Sequence, residues 1–151
     1  MKILLKDTLI KVLFKNEFLE IGIDEPISLL VLRWKRQITS EERVAGYERA
    51  FAYLKSYAIR NMLVDNEAIF LFSQHDKAWL AETFNQWISE ARIKRFALVT
   101  SDLYKNLTDL GDFIASIKKT YPLLGNVEHE FFIDYKTARQ WIQEGSGPLL
   151  N

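Results

Sequence analysis

The hydrophobic pattern of the chain changes period once. Before residue 35 it is strand-like: KILL (2–5) and LIKVLF (9–14) are β-favouring runs, and KNE (15–17) is turn material. In FLEIGI (18–23) Leu19, Ile21 and Ile23 alternate with Phe18, Glu20 and Gly22, which predicts one buried face. Asp24, Glu25 and Pro26 break the chain. ISLLVLRW (27–34) is then almost continuously apolar, the pattern of a strand covered on both faces.

From residue 39 the period lengthens to about 3.6. Thr39, with Glu42 three residues on, has capping-box spacing, and Val44, Tyr47, Phe51, Leu54 and Ala58 follow on one helix face. NMLVD (61–65) reads as a short buried strand. A helix over about 74–93 is predicted to bury Leu80, Phe84, Trp87, Ile88 and Ala91. RFALVT (95–100) is another strand. Leu103, Leu107, Leu110, Ile114, Ile117 and Tyr121 keep a helical period that Pro122 and Gly125 end, with Thr108 and Gly111 as points where it could divide. VEHEFFI (127–133) alternates, and DYKTARQWIQEG (134–145) is a last helix capped by Asp134 and ended by Gly145. The expected fold class is α/β. It is a single-layer mixed β-sheet, with antiparallel strands first and then β-α-β-α-β-α-β-α with parallel strands, packed with about four helices. Residues 1–144 form one expected domain, with 145–151 as a tail.

Composition narrows the function. The 151 residues are 48 % apolar and 13 % aromatic, enough to build a core. Lys plus Arg equals Asp plus Glu at 20 each, which argues against bulk capture of nucleic acid or anionic lipid. With no cysteine there is no disulfide, thiolate nucleophile or thiolate metal site. The N-terminal run is interrupted by Lys6 and Asp7 and lacks a small-residue cleavage pattern, so it reads as strand rather than signal peptide. No apolar run approaches the roughly 20 residues of a membrane span. A cytoplasmic protein without stable membrane insertion is expected.

Ser73, His75 and Asp76 bring triad residue types together, but residues one or two apart on a helix point in different directions. No Gly-x-Ser-x-Gly elbow surrounds Ser73. Asp76, three residues after Ser73, instead has the spacing of a reciprocal N-cap. The two histidines, His75 and His129, form no zinc-ligand pair, and no glycine-rich phosphate loop is present, so neither metal nor cofactor is expected. His129, on a face with Val127, Phe131 and Ile133, reads as a half-buried structural histidine. The basic groups Arg33, Lys35, Arg36 and Arg92, Lys94, Arg95 read as solvated turns or helix ends.

Ligands of open α/β sheets bind beyond the carboxyl ends of parallel strands. Asp65 and Asn66 (with Glu67) after one strand, Thr100, Ser101 and Asp102 after the next, and Ser73 at a helix start are therefore predicted to share one rim. That rim is a candidate for a partner or an anion, with turn and cap formation as the plain alternative. A second candidate is an interface on the first long helix, where Gly46, Ala50, Tyr53 and Tyr57 lie opposite the predicted core stripe, leaving a close-approach groove and an aromatic edge. Trp79, about 130° from the core stripe of its helix at 100° per residue, is either packed on the preceding AIFLF loop (68–72) or an exposed interface anchor.

LVLRWKRQITSEE, RNMLVDNEAI, IKRFALVTSDLY and EFFIDYKTARQWI occur in the order and spacing of STAS-like domains, and the chain resembles their SpoIIAA-like bacterial branch over roughly residues 1–144. The resemblance implies a mixed sheet with helices and a regulatory, non-catalytic role as an anti-sigma-factor-antagonist-like protein, binding a protein partner or itself as a dimer. In such proteins a serine at the start of the second helix is phosphorylated. Ser73 lies at that place in the topology, although the Asp-Ser-Ser/Thr-Gly signature is replaced by Phe72-Ser73-Gln74-His75. The wider superfamily is also similar to CRAL-TRIO lipid carriers, which implies a carrier or sensor of a small apolar ligand as the alternative. An enzyme using Asp65 with Asn66 comes third, for want of a nucleophile, base pair or cofactor motif.

Overall fold

The computed structural model describes residues 2–5, 8–100 and 127–146. The helix predicted over 101–121 and its stop at Pro122 and Gly125 lie outside the described residues, as do Ser101 and Asp102. Seven strands form one sheet in sequence order: β1 (Lys2–Leu5), β2 (Thr8–Lys15), β3 (Leu19–Asp24), β4 (Leu29–Trp34), β5 (Asn61–Asp65), β6 (Arg95–Val99) and β7 (Glu128–Phe132). Neighbours from β1 to β4 are antiparallel, and those from β4 to β7 are parallel. The predicted mixed sheet, antiparallel first and parallel afterwards, is thus present. Short turns join β1 to β4 and long crossovers join the parallel strands, and throughout consecutive strands lie side by side.

Strand alternation sends side chains to two cores. On one face Leu19, Ile21, Ile23, Leu30, Leu32, Trp34, Met62, Val64 and Phe96 meet α1 (Ser40–Ser56) and the following helical rod. On the other, Leu29, Val31, Leu63, Ala97 and Val99 meet Tyr135, Ala138 and Ile142 of the last described helix, Tyr135–Ser146. All six residues of β3 are buried, which corrects the expectation of a single buried face there. Its second face is closed through charge: Glu20 sits 3.3 Å from Arg33 on β4 and 3.6 Å from Lys15 on β2, both its cross-strand neighbours, and Asp24 accepts from Arg139 of the last helix.

Helix α1 begins where the sequence places it. Thr39 Oγ1 accepts from the Glu42 N–H at 3.1 Å, and the Glu42 carboxylate accepts from the Thr39 N–H at 2.9 Å. Its buried face is rotated from the predicted stripe, comprising Arg43, Gly46, Tyr47, Ala50 and Leu54. Gly46 is the reason: the Trp34 ring of β4 lies so close that a Cβ on Gly46 would be 2.4 Å from it. The helix turns its smallest residues to the largest side chain beneath it. At its far end Ala58 adopts a left-handed φ of 52°, and the Ile59 N–H closes the end on the Leu54 carbonyl at 2.9 Å.

The second rod begins as α2 (Gln74–Trp79), widens into a π-helical turn at Leu80–Phe84, and continues as α3 (Asn85–Glu90). In the wide turn the Asn85 N–H bonds the Leu80 carbonyl, five residues back. That would orphan the Ala81 carbonyl, and the buried Asn85 side chain supplies the missing donor, its Nδ2 bonding Ala81 O at 2.9 Å. The last helix, α4 (Tyr135–Ser146), is capped as predicted, Asp134 Oδ1 accepting from the Lys136 N–H at 2.9 Å. Its last described residue is Ser146, one past Gly145. A Cβ at Gly145 would lie 2.3 Å from the Arg95 side chain, so the glycine also serves close approach.

Candidate functional site

The carboxyl ends of β4, β5 and β6 and the starts of α1 and α2 lie at one end of the parallel part of the sheet, as crossover connections require. The residues predicted to form a rim there are mostly interior. Asp65 is 2 % exposed, and its Oδ1 accepts from the Glu67 N–H at 3.0 Å, so it shapes the turn that leaves β5. Asn66 and Thr100 are buried at matching positions after the paired strand ends, and their backbone N–H groups extend the sheet by bonding Val99 O and Phe132 O. These three are turn formers and ladder extensions set in the interior rather than on the exposed rim predicted for them. Ser73 alone among the described rim residues is exposed.

Ser73 is a helix cap. Its Oγ accepts from the Asp76 N–H at 3.0 Å, and Asp76 returns a bond to the Ser73 N–H. Asp76 does more than close the cap. Its Oδ1 accepts from Ser40 Oγ at 2.6 Å, and its Oδ2 lies 2.9 Å from Nη1 of Arg43. The Arg43 side chain is 2 % exposed and lies over the Phe72 ring at 4.6 Å. The ion pair is close without the alignment of a good hydrogen bond. Burial pushes the Asp76 carboxyl up, but the Ser40 hydrogen bond, the Arg43 charge and the two bonds from Ser73 outweigh it and hold the group below its ordinary value. The starts of α1 and α2 are therefore clasped together through one carboxylate. That carboxylate also takes the place at the start of α2 where an anion was expected, so the geometry disfavours the anion reading.

The side chains that do face outward at this end were not singled out in the sequence. Between β5 and α2 the chain turns Ile69 inward and Phe70 and Leu71 outward; Leu71 is 71 % exposed and Phe70 46 %. Their backbone is fixed by Gln37, whose Oε1 accepts from the N–H groups of Phe70 and Leu71 at 2.8 and 3.1 Å while its Nε2 donates to Leu71 O at 3.0 Å. A run such as IFLF shows apolar content in the sequence. Which of its members point outward depends on a side chain more than thirty residues away.

The predicted helix interface divides. Gly46 and Ala50 are buried against the sheet, so the expected small-residue groove on the outer face does not exist; it points inward, under Trp34. Tyr53 is half-buried, its hydroxyl donating to Leu13 O at 3.3 Å, and Tyr57 is 40 % exposed with Lys11 over its ring at 5.4 Å. Trp79 is not an exposed anchor: it stacks on Tyr47 at 5.9 Å and meets Trp87 edge-on at 5.5 Å. The π turn following it alters the rotation per residue, so counting 100° steps across that turn misplaces Trp79. Tyr47 also touches Trp34 and Phe84, and Phe84 touches Phe96, so aromatic rings occupy the space between these helices and the sheet.

Four of the six residues in the two basic groups are engaged within the protein. Arg33 bonds Glu20, Lys35 donates to Asn16 O, Arg36 forks onto Glu42 at 3.1 Å for both nitrogens, and Arg95 lies 3.1 Å from Glu128. His129 stacks on Phe96 at 5.2 Å and meets Phe131 edge-on, as a half-buried structural histidine would. Among the described residues no group of three or more His, Cys, Asp or Glu is placed to hold a metal ion, and no helix is long and apolar enough to cross a membrane. No family model matches the chain, and no curated protein matches its sequence.

Proposed function

We propose that this protein is a non-catalytic regulatory interaction module of the STAS-like, SpoIIAA-like kind, and that it binds its protein partner through the end of the sheet where Phe70 and Leu71 project. The observation that carries this reading is the Gln37 clamp. Two large, partly exposed apolar side chains stand on a backbone pinned by three hydrogen bonds, so burying the rest of their surface against a partner costs little further ordering. Ser73 stands two residues beyond Leu71, where a covalent phosphate would alter both the cap and the neighbouring surface. The apolar-carrier alternative needs vacant space between helices and sheet, and the ring contacts there favour the interaction reading instead.

The test is capture of partners from the native host by the tagged protein and by a Phe70→Ser/Leu71→Ser variant, with the fold of each checked by circular dichroism. Specific retention by the parent and its loss in the variant is the expected result. Equal retention by both would overturn the assignment of this surface.

A further inference from the structure

A groove runs along the outer side of α1, between it and the second helical rod. At its lower end is a cleft of about 480 Å³ between α1 and α3, lined by Glu48, Phe51, Lys55, Trp87, Glu90 and Ala91. A second, of about 610 Å³, shares Glu48 and continues up α1 past Val44 and Ala45 to Ser40, at the clasped helix starts. From Ser40 to Lys55 the helix rises about 22 Å at 1.5 Å per residue. That length suits a peptide segment better than a single small molecule.

The lining has a definite chemistry. Phe51 and Trp87 are half-buried and meet edge-to-face at 5.6 Å, forming an aromatic floor. Glu48 and Glu90 flank it, and Glu41 lies further along beside His75, against the single lysine, Lys55. Glu90 accepts only a neutral bond, from Gln86 at 3.1 Å, while Glu41 and Glu48 have no ion-pair partner among the described residues. Elsewhere Glu20, Glu42, Asp76 and Glu128 each face a named cation, while Glu25, Glu82 and Glu144, like the groove carboxylates, face none among the described residues; what sets the groove apart is that its carboxylates flank an aromatic pair. Aromatic faces beside unneutralised carboxylates form a setting for a guanidinium or ammonium group.

We propose that this groove is the docking site for a basic amphipathic segment of the partner protein. An Arg or Lys of that segment lies on Phe51 and Trp87 between Glu48 and Glu90, and its apolar residues lie along Val44 and Ala45. The inference rests on the interaction reading above and adds the chemistry of the partner. Excess negative charge at the groove also steers such a segment toward it, and that contribution weakens as salt screens it.

The experiment uses the full chain and two fluorescein-labelled synthetic helical peptides of about fifteen residues, enough to span the groove. One carries leucine and arginine at helical spacing; the other has glutamate in place of arginine. Fluorescence polarisation is read at low and physiological salt. The basic peptide is expected to bind, more weakly as salt rises, and the acidic one not to bind. Glu48→Lys/Glu90→Lys, at exposed positions, is expected to lower affinity at least about tenfold with an unchanged circular dichroism spectrum. Phe70→Ser/Leu71→Ser is expected to leave peptide affinity within about twofold, since those side chains do not line the groove. Equal binding by the parent and the charge-reversed variant, or no binding of the basic peptide to the parent, overturns the groove proposal. The rim assignment fails separately, when the Phe70/Leu71 variant keeps the native partners.

Discussion

At the scale of single residues, the folded protein assigns small and charged side chains to places that a hydrophobicity count does not give them. Gly46 is the sharpest case. Val44 and Phe51 carry more apolar surface than Gly46 and Ala50, so a periodicity read from hydrophobicity turns the helix toward the larger pair. Packing answers a different question, namely which face lets the backbone approach the flat ring of Trp34, itself 1 % exposed. Arg43 was equally hidden, because a charge in a first helical turn reads as solvated unless its buried partner is known. Gly46→Ala tests the packing argument directly. Alanine favours the helix by about 1 kcal/mol, yet its Cβ would stand 2.4 and 2.9 Å from two atoms of a ring with little room to retreat. The expected net outcome is destabilisation by about 1–2 kcal/mol, measured as a lower urea midpoint at unchanged slope. A gain in stability would mean that Trp34 can move aside.

Elements were legible where their signals are local. The caps at Thr39, Ser73 and Asp134 join side chains to backbone only two or three residues away, and all three form as the residue types and spacings indicate. The short strands were equally readable from β-branched and apolar runs between turn residues. The π turn was not, because its signature is a hydrogen-bond choice rather than a change of composition. Asn85 marks it: an amide buried inside a helix, donating to the carbonyl that the turn releases. Asn85→Leu keeps the branching of the side chain, adds bulk and removes that donor. The Ala81 carbonyl is then left without its side-chain partner, and the expected cost is about 1–3 kcal/mol in a thermal or urea melt. Amide hydrogen exchange should rise first within Leu80–Phe84, ahead of α1. Uniform acceleration across both helices would indicate that the asparagine supports general packing rather than this turn.

For the molecule as a whole, the sheet order repeats the chain order, and α1 and α4 cover its opposite faces. The helices on the first face are joined to each other at one end by the Asp76 clasp, where Ser40, Arg43 and Ser73 converge on a carboxylate. This gives the protein a defined response to acid. The Asp76 carboxyl is held below its ordinary value in the folded state, so the unfolded chain takes up its proton first as pH falls. Its stabilising contribution is therefore complete above the unfolded-state value of about 3.9 and is lost progressively as pH drops through that value toward the lower folded one. The Glu42 carboxyl, bonded by Arg36, and that of Asp134, bonded by Thr137, are shifted in the same direction, so the three act in one window. Only Asp76 among them is buried, and it should contribute most. Asp76→Asn is expected to cost about 3 kcal/mol at neutral pH by leaving Arg43 in the interior without its counter-ion. The same variant should lose less stability than the parent on titration from pH 6 to pH 2, so that the two urea midpoints converge in acid. Parallel midpoint curves would show that the carboxylate is not the group whose protonation loosens the clasp.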